Sequence, residues 1–265
     1  SYPGFPRAAH VIDYLSRYED RYGFHVERPV QVSQVEYENG LFEVRADERL
    51  WRSRTLVAAT GTWSSPFVPS YPGTFPGKQW HTVTYPGIEP FRETSVAVVG
   101  SANSGAQIAA ELSDVAEVTW FVREQPRWMP DDVDGRELFR RNSLRALAIQ
   151  RGEPDPGADS NLGNIVMLPH VLKARDAGKL QPTPMFTSLS ELQADHLIWC
   201  TGFRPSLGPL RHVVENRVPK YPGLFLVGYG DWTGPGSATM TGVSPYARGV
   251  AKTIADQLGT QPVKR

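Results

Sequence analysis

Residues 95–105 read Ser95-Val96-Ala97-Val98-Val99-Gly100-Ser101-Ala102-Asn103-Ser104-Gly105. A short apolar run rich in β-branched side chains fits a strand buried on both faces. It ends at Gly100, which permits a tight turn. Residues 104–112 follow with Ala106, Ile108, Ala109 and Ala110, small side chains suited to a packed helix. Val118-Thr119-Trp120-Phe121-Val122 is a second apolar run. Strand, glycine turn, helix and strand within ~30 residues make a βαβ unit, which places the chain in the α/β class with a largely parallel sheet. The Gly100–Gly105 loop stands where a dinucleotide pyrophosphate binds. Gly100 makes the turn, Gly105 lets helix and strand approach, and the helix N-terminus offers free N–H groups to an anion. Ala102 replaces the second glycine of the usual fingerprint, and its methyl group narrows that space without closing it.

The end of the second strand bears on which dinucleotide binds. An acidic residue there holds a ribose 2′-hydroxyl, whereas a guanidinium suits a 2′-phosphate. Here Arg123 is followed by Glu124. Arg123 favours NADPH; Glu124 would serve NADH if the strand ran one residue further.

On the N-terminal side, residues 8–22 predict an amphipathic helix with Val11, Tyr14, Leu15, Tyr18 and Tyr22 on one face, stopped by Gly23. Residues 30–59 predict a three-stranded antiparallel meander. It turns at Asn39-Gly40, and its third strand, through Trp51, Ser53, Thr55 and Val57, runs on into Thr60-Gly61. Residues 62–94 are proline-rich and read as loop. On the C-terminal side, residues 135–150 predict a helix capped by Asp134, and 151–164 a loop. Leu197–Cys200 and Leu224–Val227 read as buried strands. A last helix starts with Ser244 as N-cap and Pro245 at its first position.

Three strand exits carry glycines that let the backbone approach a ligand: Thr60-Gly61, Thr201-Gly202 and Gly230-Asp231. Asp231, at the carboxyl end of a strand, faces the crevice where open α/β sheets bind ligands and can accept ribose or ribityl hydroxyls. Asp131, Asp132 and Asp134 lack a nearby histidine and the length of a calcium loop, so they read as helix capping and a solvated edge, with no metal site.

Composition narrows the partners. The 265 residues allow one large domain or two lobes, and 40% hydrophobic content is enough for a packed core. Lys plus Arg and Asp plus Glu are 28 each, so no cationic surplus favours nucleic acid. No apolar run approaches the ~20 residues of a membrane span. The single cysteine, Cys200, excludes an internal disulfide and reads as a core thiol in a reducing, cytoplasmic setting.

The sequence resembles the flavin-containing monooxygenase group of class B flavoproteins. Phe75-x-Gly77-x-x-x-His81-x-x-x-Tyr85 matches that group's fingerprint just ahead of the nucleotide loop, Thr60-Gly61 its Ala-Thr-Gly segment, and Gly230-Asp231 its second FAD contact. The nearest likeness is to bacterial flavin-dependent monooxygenases associated with arsenic resistance, through Ala59–Pro66, Pro130–Arg136 and Val227–Gly234. The resemblance implies a two-dinucleotide-domain, Rossmann-like flavoprotein fold. Residues 93–197 would be an NADPH-binding lobe inserted into a partial FAD-binding lobe made of 1–92 and 198–265. It also implies FAD and NADPH as cofactors, and oxygenation of a small soft nucleophile, such as an arsenical, through a flavin C4a-hydroperoxide. The partners implied are a small-molecule substrate and oxygen, with a homodimer allowed. His81 is read as ordering the linker between lobes, and no catalytic side chain is assigned.

One feature departs from the group. Its opening Gly-x-Gly-x-x-Gly loop for the FAD pyrophosphate has no counterpart in residues 1–94. A segment carrying that loop is accordingly expected ahead of Ser1, as a parallel neighbour for the strands at 56–60 and 224–228. Two other readings stay open. One is a flavin-dependent disulfide reductase relative, which the lack of Cys-x-x-Cys disfavours. The other is a non-catalytic NADP-binding fragment.

Overall fold

The computed structural model describes residues 6–133, 135–154, 163–240 and 242–259. Helix α1 (Ala8–Tyr22) leads into a meander of β1 (Gln34–Glu38), β2 (Leu41–Ala46) and β3 (Arg49–Ser53), followed by β4 (Leu56–Ala58) and β5 (Lys78–His81). Next come β6 (Ser95–Val99), α2 (Asn103–Leu112), β7 (Glu117–Val122), α3 (Gly135–Gln150) and α4 (Pro169–Asp176). The chain closes with β8 (Pro182–Pro184), β9 (His196–Trp199), the short pair β10 (Val214–Glu215) and β11 (Val218–Pro219), then β12 (Leu224–Leu226) and α5 (Ser244–Leu258).

The centre is a five-stranded parallel sheet in the order β5-β9-β6-β7-β8. Its inner strands β6 and β9 are buried on both faces from Val96 to Val99 and from Leu197 to Trp199, as a parallel sheet covered on two sides requires. The period of two along β6 divides the core. Val96 and Val98 pack with Ala106, Ala109, Leu112, Trp120 and Ile165 on the α2 side. Ala97 and Val99 pack with Phe186, Leu197 and Trp199 on the other. Small residues let α2 lie close to the sheet: Ala106 and Ala109 are fully buried. On its outer side α2 meets α4, a helix the sequence did not signal, through Val171 and Ala174.

A smaller body is built on the meander. β1-β2-β3 pair antiparallel with Val35 opposite Val44 and the turn at Asn39-Gly40, as expected. The third strand, however, stops at Ser53. Leu56–Ala58 leaves the meander and pairs parallel with Leu224–Leu226 as a two-stranded sheet. Phe42, Ala58, Leu210, Val213 and Leu224 form the core there.

Other expectations shift. The stretch 62–94 is not all loop: Lys78–His81 forms an edge strand of the main sheet, held by pairing with β9. The sheet's strands therefore span residues 78–199, whereas the expected nucleotide lobe spans 93–197 and its boundary falls within β9. The N-cap of α5 is Val243, with Ser244 and Pro245 inside the first turn. Asp134, the expected cap of α3, and part of the loop at 151–164 lie outside the described residues. Asp131 is held by Arg175 in a bidentate pair at 2.8 and 3.0 Å, and no group of metal-ligating side chains occurs among the described residues. Among them, too, no helix is long and apolar enough to cross a membrane.

Candidate functional site

The carboxyl ends of β6 and β9 open onto a cleft of about 440 Å³, lined by Gly100, Ser101, Ala102, Asn103, Ser104, Arg123, Thr201 and Gly202, with Phe67, Pro69, Tyr71 and Met185 opposite. Parallel strands with helices on their faces leave such a crevice at their carboxyl ends. Gly105 makes the loop possible. A Cβ there would collide with the Gly100 carbonyl oxygen and stand 3.2 Å from Trp120 Nε1. That carbonyl accepts a hydrogen bond from Trp120 Nε1 at 2.7 Å, which fixes the turn. Asn103 does not cap the helix. Its Oδ1 accepts from the Val166 amide at 2.8 Å, and no side chain caps the α2 N-terminus. The first turn of α2 thus meets the cleft with its amide groups and the positive end of its dipole.

Arg123 directly follows β7. Its amide donates to Ser101 Oγ at 3.1 Å, and its exposed side chain borders the cleft. Glu124 is not among the lining residues. Thr201-Gly202 sits beside this loop, because β9 is the neighbour of β6. Cys200 is buried in the cleft floor, and burial pushes its thiol up to about 12, so it is not a thiolate at neutral pH.

His81 ties the fingerprint segment to the cleft. It is buried, and its Nδ1 accepts from the Val83 amide at 3.2 Å, which leaves the proton on Nε2 to be donated to the Gly202 carbonyl at 3.0 Å. Burial lowers its pKa below the ordinary 6.5, against the opposing pull of the Gly202 carbonyl. Phe203 packs edge-on against the ring at 5.0 Å.

The other predicted residues gather at the carboxyl ends of β4 and β12. The Thr60 amide donates to Tyr229 Oη at 3.1 Å; Thr60 Oγ1 lies 2.6 Å from the same oxygen and donates to the Ser206 carbonyl at 2.6 Å. The phenol proton is thereby directed to Thr60 Oγ1, and three distant segments are locked by one side chain. Gly230 adopts φ 93°, ψ −158°, a conformation essentially restricted to glycine. Its carbonyl accepts from Ser237 Oγ at 2.9 Å and from the Thr233 amide at 2.8 Å. Asp231 is largely exposed, with Arg145 Nη1 3.9 Å from Oδ2. At Gly61, Gly202 and Gly230 nothing stands within 4 Å of where a side chain would begin. The backbone there is open to a ligand.

The predicted residues therefore form two groups: Gly100–Gly105 with Arg123, Thr201 and Gly202, and Thr60-Gly61 with Gly230-Asp231. The segments 61–67 and 202–206 run between them as an antiparallel link, through Phe67 N to Gly202 O at 3.0 Å and Ser206 N to Gly61 O at 2.8 Å. Sequence reasoning assigned no role to Tyr229, Ser206 or Phe67. Tyr229 lies 169 residues from Thr60, and no local pattern announces that partnership.

An uncapped helix behind a glycine turn, a strand-end guanidinium and a parallel sheet define a dinucleotide-binding α/β protein. The profile of the pyridine nucleotide-disulphide oxidoreductase family matches residues 3–140, more than half of the chain. A flavin-containing monooxygenase from Stenotrophomonas maltophilia is 35% identical, with a TM-score of 0.78 over 97% of this chain and 82% of its own. An oxidoreductase of Geobacillus kaustophilus described as CzcO-like is 27% identical over 92% of this chain and 77% of its own length. Cyclohexanone monooxygenase in its open form, 16% identical with a TM-score of 0.63, shares the fold. The chain belongs to the pyridine nucleotide-disulphide oxidoreductases, within their flavin monooxygenase group.

Proposed function

We propose that this protein is an NADPH- and FAD-dependent monooxygenase that transfers one oxygen atom to a small soft nucleophile, sulfur or trivalent arsenic. The observation that carries the reading is the uncapped α2 N-terminus, with Arg123 on the same cleft. In this reading the pyrophosphate of NADPH lies on the amides of Ala102, Asn103 and Ser104, and Arg123 pairs with the 2′-phosphate. Residues 93–197 are the NADPH lobe; 1–92 and 198–265 contribute to the FAD lobe. Thr60-Gly61 and Gly230-Asp231 would hold FAD through open backbone and the Asp231 carboxylate, and Thr201-Gly202, which lines the cleft with Gly100–Ser104, would contact NADPH. FAD held there would supply two-electron redox chemistry between NADPH and oxygen. The part of the protein in this reading is to position both nucleotides.

The family also contains disulfide reductases. Against that activity stands the one cysteine of this chain, buried and with its thiol pKa raised. The test is the FAD-loaded protein with NADPH in an oxygen electrode. Oxygen uptake that accompanies NADPH oxidation, with an oxygenated product from a thioether or a trivalent arsenical, is the expected result. Rapid reduction of a disulfide without oxygen uptake would refute the reading.

A further inference from the structure

Helix α1 buries none of its 15 residues. Yet Tyr14, Leu15, Tyr18 and Tyr22 recur at the three- and four-residue spacing that gathers side chains on one face. The stripe is continuous. Ring centroids lie 6.5 Å apart from Tyr14 to Tyr18 and 4.7 Å apart from Tyr18 to Tyr22. Gly23 ends the helix in the left-handed conformation, and the Phe24 amide donates back to the Glu19 carbonyl at 3.3 Å. That turn folds the Phe24 ring onto Tyr18 and Tyr22, at 5.7 and 5.8 Å. The five side chains are 39–61% exposed.

The charges that border the stripe already have partners. Arg17 pairs with Asp13 at 2.7 Å, Arg28 holds Glu19 at 2.7 and 3.0 Å, and the Arg21 guanidinium lies over the Tyr22 ring at 5.7 Å. Covering the stripe therefore leaves no charge unpaired. An anionic lipid surface is a poor occupant, because the helix carries three carboxylates, Asp13, Glu19 and Asp20, against two guanidiniums, Arg17 and Arg21. Size fits a protein surface. At about 150–250 Å² for each large side chain, these exposures leave roughly 500 Å² of apolar area. Interfaces are about 60% apolar, so a contact built on the stripe would bury about 800 Å² per copy, the amount a stable pair needs.

We propose that this stripe is the interface between two copies of the chain, with the α1 helices antiparallel about a two-fold axis at Tyr18. A two-fold axis requires a self-complementary surface. Here it sets Tyr14 of each copy against Tyr22 of the other, with the two Tyr18 rings adjacent at the centre. One aromatic stripe then covers its own copy, and the partnered charges stay at the rim.

The test uses the full chain in analytical ultracentrifugation. The wild type should sediment as a dimer at micromolar concentration. Tyr18→Arg sets two like charges at the axis and should raise the dissociation constant at least a hundredfold. Because α1 buries nothing within its own chain, the circular dichroism and melting temperature of the dilute monomer should stay unchanged. The register has its own measurement. Helix axes 8–10 Å apart bring the two Cα atoms at the axis to about 4–6 Å, within reach of a disulfide. Cys200 is buried, so Tyr18→Cys adds the one reactive thiol and should cross-link the dimer under mild oxidant. Ile12→Cys, exposed but about 120° round the helix from Tyr18, should not. A wild type that stays monomeric at about 100 µM, or a dimer that Tyr18→Arg leaves intact, overturns the interface. Equal cross-linking of the two cysteine variants overturns the antiparallel pairing at Tyr18.

Discussion

Replacing Gly105 by alanine places a methyl group where the Gly100 carbonyl oxygen already stands, with Gly100 C at 2.8 Å and Trp120 Nε1 at 3.2 Å. Neither neighbour is a flexible side-chain end. The carbonyl is backbone at the turn, and Trp120 is 2% exposed. Overpacking of this kind costs about 1–3 kcal/mol. Moving the carbonyl also strains or breaks its bond from Trp120 Nε1, and a buried donor left unpaired costs about 1–3 kcal/mol. The two penalties act through one atom and overlap, while alanine in a helix recovers about 1 kcal/mol relative to glycine. The net loss is about 2 kcal/mol, a fall in Tm of roughly 4–8 °C for a chain of this size. Because the displaced carbonyl sets the angle at which α2 meets the cleft, NADPH should also bind at least tenfold more weakly. Calorimetry gives the first quantity and titration with NADPH, followed by protein fluorescence, the second. Ala102→Gly is the control: it removes a methyl group from the loop and should bind NADPH equally or more tightly. A Gly105→Ala protein with wild-type Tm and wild-type affinity would refute the argument from close approach.

Arg123→Ala should weaken NADPH by about 10–100-fold, the equivalent of ~1.5–3 kcal/mol for a charge-assisted contact, and leave NADH unchanged; a mutant that keeps the full preference shows Arg123 to be a surface charge only. Cys200, buried with its thiol pushed up to about 12, should resist iodoacetamide at pH 8 in the folded protein and react once denatured, as read by intact mass; quick labelling of the native chain contradicts the packing around Gly100. His81 gives a pH dependence. Its folded pKa lies below the unfolded 6.5, so the unfolded chain binds the extra proton and stability drops as pH falls from 6.5 toward the folded value. Urea unfolding between pH 8 and 5 should show that slope in the wild type and a shallower one in His81→Gln, whose amide can still donate to the Gly202 carbonyl; equal slopes remove His81 from the account.

Much of this protein is written in short-range patterns. The apolar run Val96–Val99, the glycine turn and the small residues of α2 specify the βαβ unit, since burial on both faces and close helix approach leave few other arrangements for those side chains. Asn39-Gly40 fixes the β1–β2 turn, and alternation puts Val35, Tyr37, Phe42 and Val44 on the face that joins the small core, whereas the burial of Glu43 on the other face, between Arg45 and Arg52, goes beyond that pattern. The loop Gly100–Gly105 and Arg123 could be named in advance because one local segment carries both the anion-binding helix end and the strand exit beside it.

Partnership was decided only in three dimensions. Leu56–Ala58 continues the meander in sequence, but it pairs with Leu224–Leu226, because three residues of strand are stable only where another strand offers hydrogen bonds. Lys78–His81 lies among prolines and becomes a strand by adding to β9, an edge no local pattern can foresee. Thr60-Gly61 and Thr201-Gly202 look alike in sequence, yet their strands belong to different sheets, so one joins Gly230-Asp231 and the other the Gly100 loop. The clamp of Tyr229 on Thr60 is likewise invisible in the sequence. Periodicity records which face of an element is buried, not which distant segment buries it, and a hydrogen bond across 169 residues leaves no mark on its neighbours in the chain.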